Sequence, residues 1–160
     1  MSGQLTGLMA SIATGKVRVV DLTFTLSPEF PALVLPVEFG QCAPFRMEEV
    51  SRYDPRGPAW YWNNISMSEH CGTHYDAPIH WVTGKDLPNN SVDTIPVERF
   101  IAPACVIDCV AGAEKDADFV LKISDIEAYE KAHGRIPEGW WVLMRTDWSK
   151  RDFAGYANLR

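Results

Sequence analysis

Residues 70–80 read His-Cys-Gly-Thr-His-Tyr-Asp-Ala-Pro-Ile-His and hold three of the four histidines in the chain. Along this stretch His74, Asp76 and His80 follow His70 by 4, 6 and 10 positions. Even spacings place side chains on one side of an extended chain, so His70, His74 and Asp76 are expected to converge. Imidazole and carboxylate together suit zinc, manganese or iron(II) better than magnesium or calcium. The stretch therefore predicts a divalent-metal site.

The residues between these side chains affect the path of the backbone. A helix could also align the first two histidines, but Gly72 disfavours it and Pro78 is incompatible with its continuation. Thr73 or Tyr75 could hydrogen-bond a ligand and fix its tautomer. Cys71 could be a thiolate ligand, but its odd spacing points it away from the histidines in a strand.

His80 is separated from the other three residues by Ala77-Pro78-Ile79. We expect His80 to be the catalytic proton carrier, because imidazole exchanges protons near neutral pH. A fourth ligand or a second metal fits the same spacing and remains an alternative. Two nitrogens and one carboxylate leave positions on a metal for water and substrate, and metal-activated hydroxide is a hydrolytic nucleophile. The pattern predicts a hydrolase.

Composition limits the class of protein. A length of 160 residues favours one domain over 1–160, and a net charge of −6 argues against a nucleic-acid partner. There is no apolar run long enough to span a membrane and no secretory signal, and residues 1–16 suggest an amphipathic helix. The four cysteines, Cys42, Cys71, Cys105 and Cys109, show no CxxC pair and no disulfide spacing, which favours a reducing, cytoplasmic setting. Cys105 and Cys109 are expected to be small buried hydrophobes.

Local patterns predict a mixed α/β (α+β) fold. Strands are predicted at residues 17–24, 60–67, 101–110 and 140–145. A helix is predicted from Ser124, as N-cap of a capping box with Glu127, to His133, with Gly134 as its C-terminal cap. The proline-rich region Ser27–Pro58 is interpreted as loop with short extended pieces, some of which are expected to cover a pocket. The aromatic residues near the histidines are interpreted as packing, with a pocket role as the alternative: Trp60, Tyr61, Trp62 and Trp81.

The stretch 70–80 matches at every position the H-x-G-T-H-x-D-x-P-x-H signature of the cyclase-like metal-dependent hydrolases, which include bacterial kynurenine formamidase and isatin hydrolase. The segments 20–23 and 106–109 also resemble this family. The resemblance implies a swivelling β/β/α domain and a zinc or manganese ion held by His70, His74 and Asp76, with His80 as the proton-transfer residue. It further implies a dimer or tetramer that hydrolyses an amide, formamide or lactam bond of a small, often aromatic substrate.

Family members are generally longer than this chain, and their C-terminal part supplies a further histidine and a glutamate to the metal. No histidine follows His133 here. We therefore expect that the C-terminal portion of the family fold is missing from the sequence. Two alternatives to the amidase remain: a catalytically incomplete metal- or ligand-binding relative, and a lactone or ester hydrolase that uses the same site.

Overall fold

The computed structural model describes residues 2–151, which form a mixed α/β arrangement as the sequence predicts. Its helices and strands, in chain order, are α1 (Ser2–Ala13), β1 (Arg46–Asp54), β2 (Gly57–Ser66), β3 (Ala104–Asp108), α2 (Val110–Lys115), α3 (Ile123–His133) and β4 (Trp141–Arg145). Single turns of 3-10 helix occur at Pro78–His80, Val97–Phe100 and Trp148–Lys150.

Strands β1 and β2 form an antiparallel hairpin, with Arg46 opposite Ser66 and Asp54 opposite Gly57. Strand β2 confirms the strand predicted at 60–67. The sequence predicted only loop with short extended pieces over Ser27–Pro58, so β1, a strand of nine residues, was not predicted. The sequence of β1 lacks the hydrophobic alternation of a half-buried strand, and it fits between Pro44 and Pro55, where every residue can donate to the ladder.

Strands β3 and β4 pair in parallel, from Ala104 opposite Trp141 to Asp108 opposite Arg145. The connection between them contains α2 and α3, so the predicted strand–helix–strand unit is confirmed. At the carboxyl ends of these strands Arg145 pairs with Asp108 at 3.2 Å and with Asp147 at 2.9 Å. Hydrogen bonds from Arg145 and Lys150 hold the pKa of Asp147 far below its usual range.

Helix α3 begins two residues earlier than the capping pattern predicts. Its N-cap is Lys122 rather than Ser124, and the Lys122 backbone N–H donates to the Asp125 carboxylate at 2.8 Å. Asp125 thus accepts the capping-box hydrogen bond from the N-cap backbone that the sequence assigned to Glu127. The C-terminal cap is confirmed: Gly134 has φ 91° and its N–H donates to the Glu130 carbonyl at 2.8 Å.

The predicted helix within residues 1–16 is confirmed as α1, whereas the predicted strand at 17–24 is wrong. The segment 18–27 is irregular and most of its side chains are open to solvent: Val19 is 72% and Leu22 79% exposed. β-branched residues form a strand only beside a ladder partner, and none of the described strands lies alongside. The Phe24 N–H donates instead to the Thr73 hydroxyl at 3.0 Å.

The buried apolar residues form a small set: Phe45, Cys71, Cys105, Ile107, Cys109 and Ala113. All four cysteines are free; Cys105 and Cys109 are buried as expected, Cys71 is buried as well, and Cys42 is half-buried. The surface is 13012 Å², against about 8000 Å² for a compact monomer of this mass. Among the described residues, none of the helices has the length and apolar character needed to cross a bilayer.

Candidate metal centre

Three donor atoms meet in the stretch 70–80. His70 Nδ1 lies 3.0 Å from Asp76 Oδ1 and 3.3 Å from His74 Nε2. His74 Nε2 and Asp76 Oδ1 are 3.3 Å apart. The His70 side chain is 20% exposed, and those of His74 and Asp76 are 33% and 37% exposed. The structure therefore brings together the three side chains that the spacing predicted to converge, and leaves the group open to solvent on one side.

The route by which they converge differs from the prediction. The segment from His70 to Asp76 is not a strand, because the backbone turns at Gly72, where φ is +67°. An L-residue rarely adopts this left-handed conformation, and a Cβ at Gly72 would lie 2.6 Å from Leu26 Cδ2. The turn brings together two histidines that are four residues apart. The alternation of side chains along a strand, from which the sequence predicted this convergence, is not its cause.

The backbone carbonyl of Gly72 fixes the tautomer of His74. His74 Nδ1 lies 3.0 Å from this oxygen, and a carbonyl can only accept, so Nδ1 carries the proton. A neutral His74 then directs the lone pair of Nε2 at Asp76 Oδ1, which is also an acceptor when ionised. Two acceptors that face each other at 3.3 Å without a proton between them are stabilised by a cation.

The spacing of the donors fits a small divalent ion. With metal–ligand bonds of about 2.0–2.2 Å, neighbouring ligand atoms lie roughly 3.0 Å apart in octahedral and 3.4 Å in tetrahedral geometry. The three observed separations, from 3.0 to 3.3 Å, fall within that range. Two nitrogens with one carboxylate oxygen are a donor set for zinc or manganese rather than for calcium. The residues present therefore fit the group that the sequence led us to expect.

Three neighbours of the ligands have other roles than those considered from the sequence. Cys71 is 6% exposed and does not belong to the converging group, which argues against a thiolate ligand. The Thr73 hydroxyl is engaged by the Phe24 N–H. Tyr75 makes edge contacts with Phe100 and Trp141, at ring-centroid distances of 5.1 and 6.5 Å. The ligand-orienting partner is a backbone carbonyl, which sequence patterns do not reveal.

His80 lies beside this group at the end of the 3-10 turn Pro78–His80. Its ring centroid is 4.2 Å from that of His70, with the rings tilted by 54°. Trp81 contacts the His80 ring edge-on at 4.7 Å. The Ile79 N–H donates to the Asn90 carbonyl at 3.0 Å and anchors the turn to the following loop. His80 is thus close to the donor group without belonging to it, within the part of the chain described here.

A cavity of about 450 Å³ opens onto the four residues His70, His74, Asp76 and His80. Its remaining walls are mostly apolar and come largely from the proline-rich region: Phe24, Phe30, Pro31, Ala32, Leu33, Leu35, Cys42, Gly72 and Trp81. The expectation that this region covers a pocket is confirmed. Trp81 is 62% exposed and lines the cavity, so its interpretation as packing is wrong.

The conformation at Gly72 supports a prediction with a matched control. Gly139 has φ +79° and open space around it, so alanine at either glycine incurs the same kind of backbone strain, about 1–2 kcal/mol. We expect urea denaturation to show a loss of that size for Gly139→Ala and at least that size for Gly72→Ala, where the added Cβ would also lie 2.6 Å from Leu26 Cδ2. Only Gly72→Ala should weaken zinc or manganese binding, measured by titration calorimetry. Equal metal affinity in the two variants would contradict the role of the turn.

Comparison with known proteins identifies the family. The Cyclase family model, described as "Putative cyclase", matches residues 20–159. The chain belongs to the Cyclase family. It is 47% identical to isatin hydrolase of Roseibium aggregatum, over 99% of this chain and 62% of that protein. It is 29% identical to kynurenine formamidase of Erythrobacter litoralis, over 82% of this chain and 53% of that protein.

Solved structures of Cyclase family relatives have the same fold. Isatin hydrolase A from Labrenzia aggregata, bound to benzyl benzoate, superimposes with a TM-score of 0.94 at 62% identity, over 98% of this chain and 61% of that chain. An isatin hydrolase bound to the product analogue thioisatinate gives a TM-score of 0.90 at 45% identity, over 94% and 58% of the two chains. The chain thus spans about three fifths of the length of these relatives.

Proposed function

We propose that this chain provides the metal site of a hydrolase that cleaves an amide, formamide or lactam bond of a small aromatic substrate. The observation that supports this most is the meeting of His70 Nδ1, His74 Nε2 and Asp76 Oδ1 at one end of an apolar cavity. Metal-dependent hydrolysis needs both parts: donors that leave coordination positions free, and a wall that binds the organic part of the substrate. The names of the relatives, isatin hydrolase and kynurenine formamidase, agree with this chemistry.

In this proposal His70, His74 and Asp76 hold one divalent ion, zinc or manganese. When bound, such an ion polarises a carbonyl and lowers the pKa of water. Asp76 supplies the negative charge of the ligand set, and the Gly72 carbonyl keeps the Nε2 lone pair of His74 directed at the site. The partly exposed face of the group is the side from which water and the scissile carbonyl enter.

His80 is the proposed proton carrier. Hydrolysis adds water across the C–N bond: a C–O bond forms, the C–N bond breaks, and one proton moves from the water to the leaving nitrogen. His80 lines the same cavity as the ligands and packs against His70, so it can accept the proton of the attacking water and return it to the nitrogen. The edge contact from Trp81 restrains the His80 ring.

The apolar walls provide the preference for an aromatic substrate. Phe24 and Phe30 contact each other at a ring-centroid distance of 5.9 Å, and Trp81 faces the same space. A cavity of about 450 Å³ is suited to a molecule with one or two rings. Isatin, a bicyclic aromatic lactam, and N-formylkynurenine, an aromatic formamide, are therefore the first substrates to test.

We also propose a domain organisation, a cellular setting and an oligomeric state for the whole protein. The family model runs without interruption over 20–159, which supports one Cyclase domain across 1–160. Free cysteines support a reducing, cytoplasmic setting. Exposed apolar side chains support association into a homo-oligomer, a dimer or a tetramer, and those on α1 are examples: Leu5 at 64% and Met9 at 57% exposure.

The proposed function is tested by metal analysis followed by assay. The purified chain is stripped with a chelator, reloaded with zinc or manganese, and incubated with isatin, N-formylkynurenine and an aryl lactone or ester. We expect about one metal per chain, and hydrolysis of the amide substrates that disappears on chelation and returns on reloading. One bound metal without hydrolysis of any compound would overturn the enzymatic proposal and favour a binding protein. Turnover of the ester alone would assign the site to the ester class.

A further inference from the structure

A hydrogen bond at Thr73 joins the segment that carries the aromatic wall to the metal-ligand loop. The Thr73 hydroxyl accepts a hydrogen bond from the Phe24 N–H at 3.0 Å, across 49 positions of sequence. Thr73 itself lies between Gly72, whose carbonyl orients His74, and His74. One end of this hydrogen bond is thus in the loop that holds the metal donors, and the other end is in the pocket wall.

The wall segment makes further contacts near this point. It is irregular from residue 18 to 27, so its backbone is not held by a strand ladder. The Asp21 carboxylate accepts from the Thr23 N–H at 2.9 Å, which shapes the segment internally but does not connect it to the loop. Leu26 packs over Gly72, where it occupies the space that a side chain would need. The Thr73 hydrogen bond and the Leu26 contact both connect the wall segment to the ligand loop.

We propose that Thr73 is a positioning residue that sets the distance between the metal donors and the aromatic wall formed by Phe24 and Phe30. This proposal rests on the proposed function, because it assigns a preference for aromatic substrates to the same site. The Thr73 side chain does not touch the reacting atoms. It acts through Phe24, so its loss should weaken binding of the aromatic ring and leave metal binding and the bond-breaking step largely intact.

Two substitutions separate the hydroxyl from the shape of the side chain. Thr73→Val keeps the size and branching but removes the acceptor, whereas Thr73→Ser keeps the acceptor and loses a methyl group. Water can reach the Phe24 N–H in Thr73→Val, since the bond lies in an exposed position, so we expect the variant to fold. A neutral hydrogen bond of this kind corresponds to a factor of about 2–12 in an equilibrium constant.

Binding of two 2-oxo acids provides the readout without turnover. One probe is 2-aminophenylglyoxylate, the acid that forms when the isatin lactam opens, and the other is pyruvate, which has the same oxo acid group without a ring. In the metal-loaded chain, we expect calorimetry to show that Thr73→Val weakens 2-aminophenylglyoxylate about 5–10-fold and pyruvate less than about 2-fold. Thr73→Ser should bind both acids within about 2-fold of the parent chain, and metal content should be unchanged in both variants.

Kinetics add a second readout: for isatin, Thr73→Val should raise KM about 5–10-fold and change kcat less than about 2-fold. Equal weakening of both acids, no change in either, or an aromatic acid that binds the parent chain no better than pyruvate would overturn the proposal. Failure of hydrolysis in the parent chain would count against the proposed function, while the difference between the two acids would still decide the role of Thr73.

Discussion

Asp76→Asn should abolish stoichiometric metal binding and hydrolysis together. The substitution preserves the size of the side chain but removes the charge that balances a divalent cation between His70 and His74. We expect zinc or manganese affinity to fall by at least about 100-fold, since loss of partners that only orient the ligands already costs 10–100-fold. Activity at limiting metal should fall in parallel with metal affinity, because hydrolysis at this site needs the bound ion. Titration calorimetry and the isatin assay measure the two effects.

Glu69 provides a matched control for this prediction. Its carboxylate carries the same charge next to the same loop, 3.9 Å from His70 Nε2, but its side chain is 89% exposed and lies outside the converging group. Glu69→Gln should therefore retain metal and activity within about 3-fold, because an exposed charge contributes little. If Glu69→Gln lost as much metal as Asp76→Asn, the effect would be one of overall charge, and the assignment of Asp76 as a ligand would fail.

His80→Ala should separate catalysis from metal binding. Because His80 packs on His70 but does not belong to the donor group, its removal should leave about one metal per chain. Loss of a proton-transfer side chain lowers turnover by about 10²–10⁴-fold, and we expect kcat for isatin to fall within that range. Metal analysis and steady-state kinetics on the same preparation test this. Loss of the metal from His80→Ala would instead make His80 a fourth ligand.

His80→Gln distinguishes chemistry from packing. Glutamine can occupy part of the space beside His70 and Trp81 but does not exchange protons near neutral pH. We expect it to be as inactive as the alanine variant, with a melting temperature closer to that of the parent chain. Substantial recovery of activity in His80→Gln would show that the His80 ring acts by packing.

The sequence predicted secondary structure best where residue types follow the repeat of a strand or of a helix. Strands β2, β3 and β4 and helix α3 follow from β-favouring runs and helical spacing, and Gly134 follows from the need for a positive φ at a helix end. Strand β1 was missed because both of its faces are largely open, which removes the alternation that identifies a strand. The segment 17–24 has strand composition, but a strand also needs a neighbouring strand to pair with, and none of the described strands lies beside this segment.

The candidate site, too, has features that the sequence predicted and features that depend on the tertiary structure. Convergence of His70, His74 and Asp76 was predictable from residue types and spacing. The expected cause, even spacing along an extended strand, was wrong, because a turn at Gly72 brings the side chains together. The orienting role of the Gly72 carbonyl was not predictable, since backbone atoms carry no sequence signal. The proline-rich region was expected to cover a pocket, but the part of Phe24 in the wall was not predictable, because Phe24 is 46 positions before His70 and meets the site only through the fold.

The central claim is that three named atoms hold one divalent ion, and anomalous diffraction from crystals soaked in manganese tests it most directly. We predict a single strong anomalous peak about 2.0–2.3 Å from each of His70 Nδ1, His74 Nε2 and Asp76 Oδ1. A manganese peak elsewhere in the chain, or no peak at these atoms at saturating manganese, would contradict the claim.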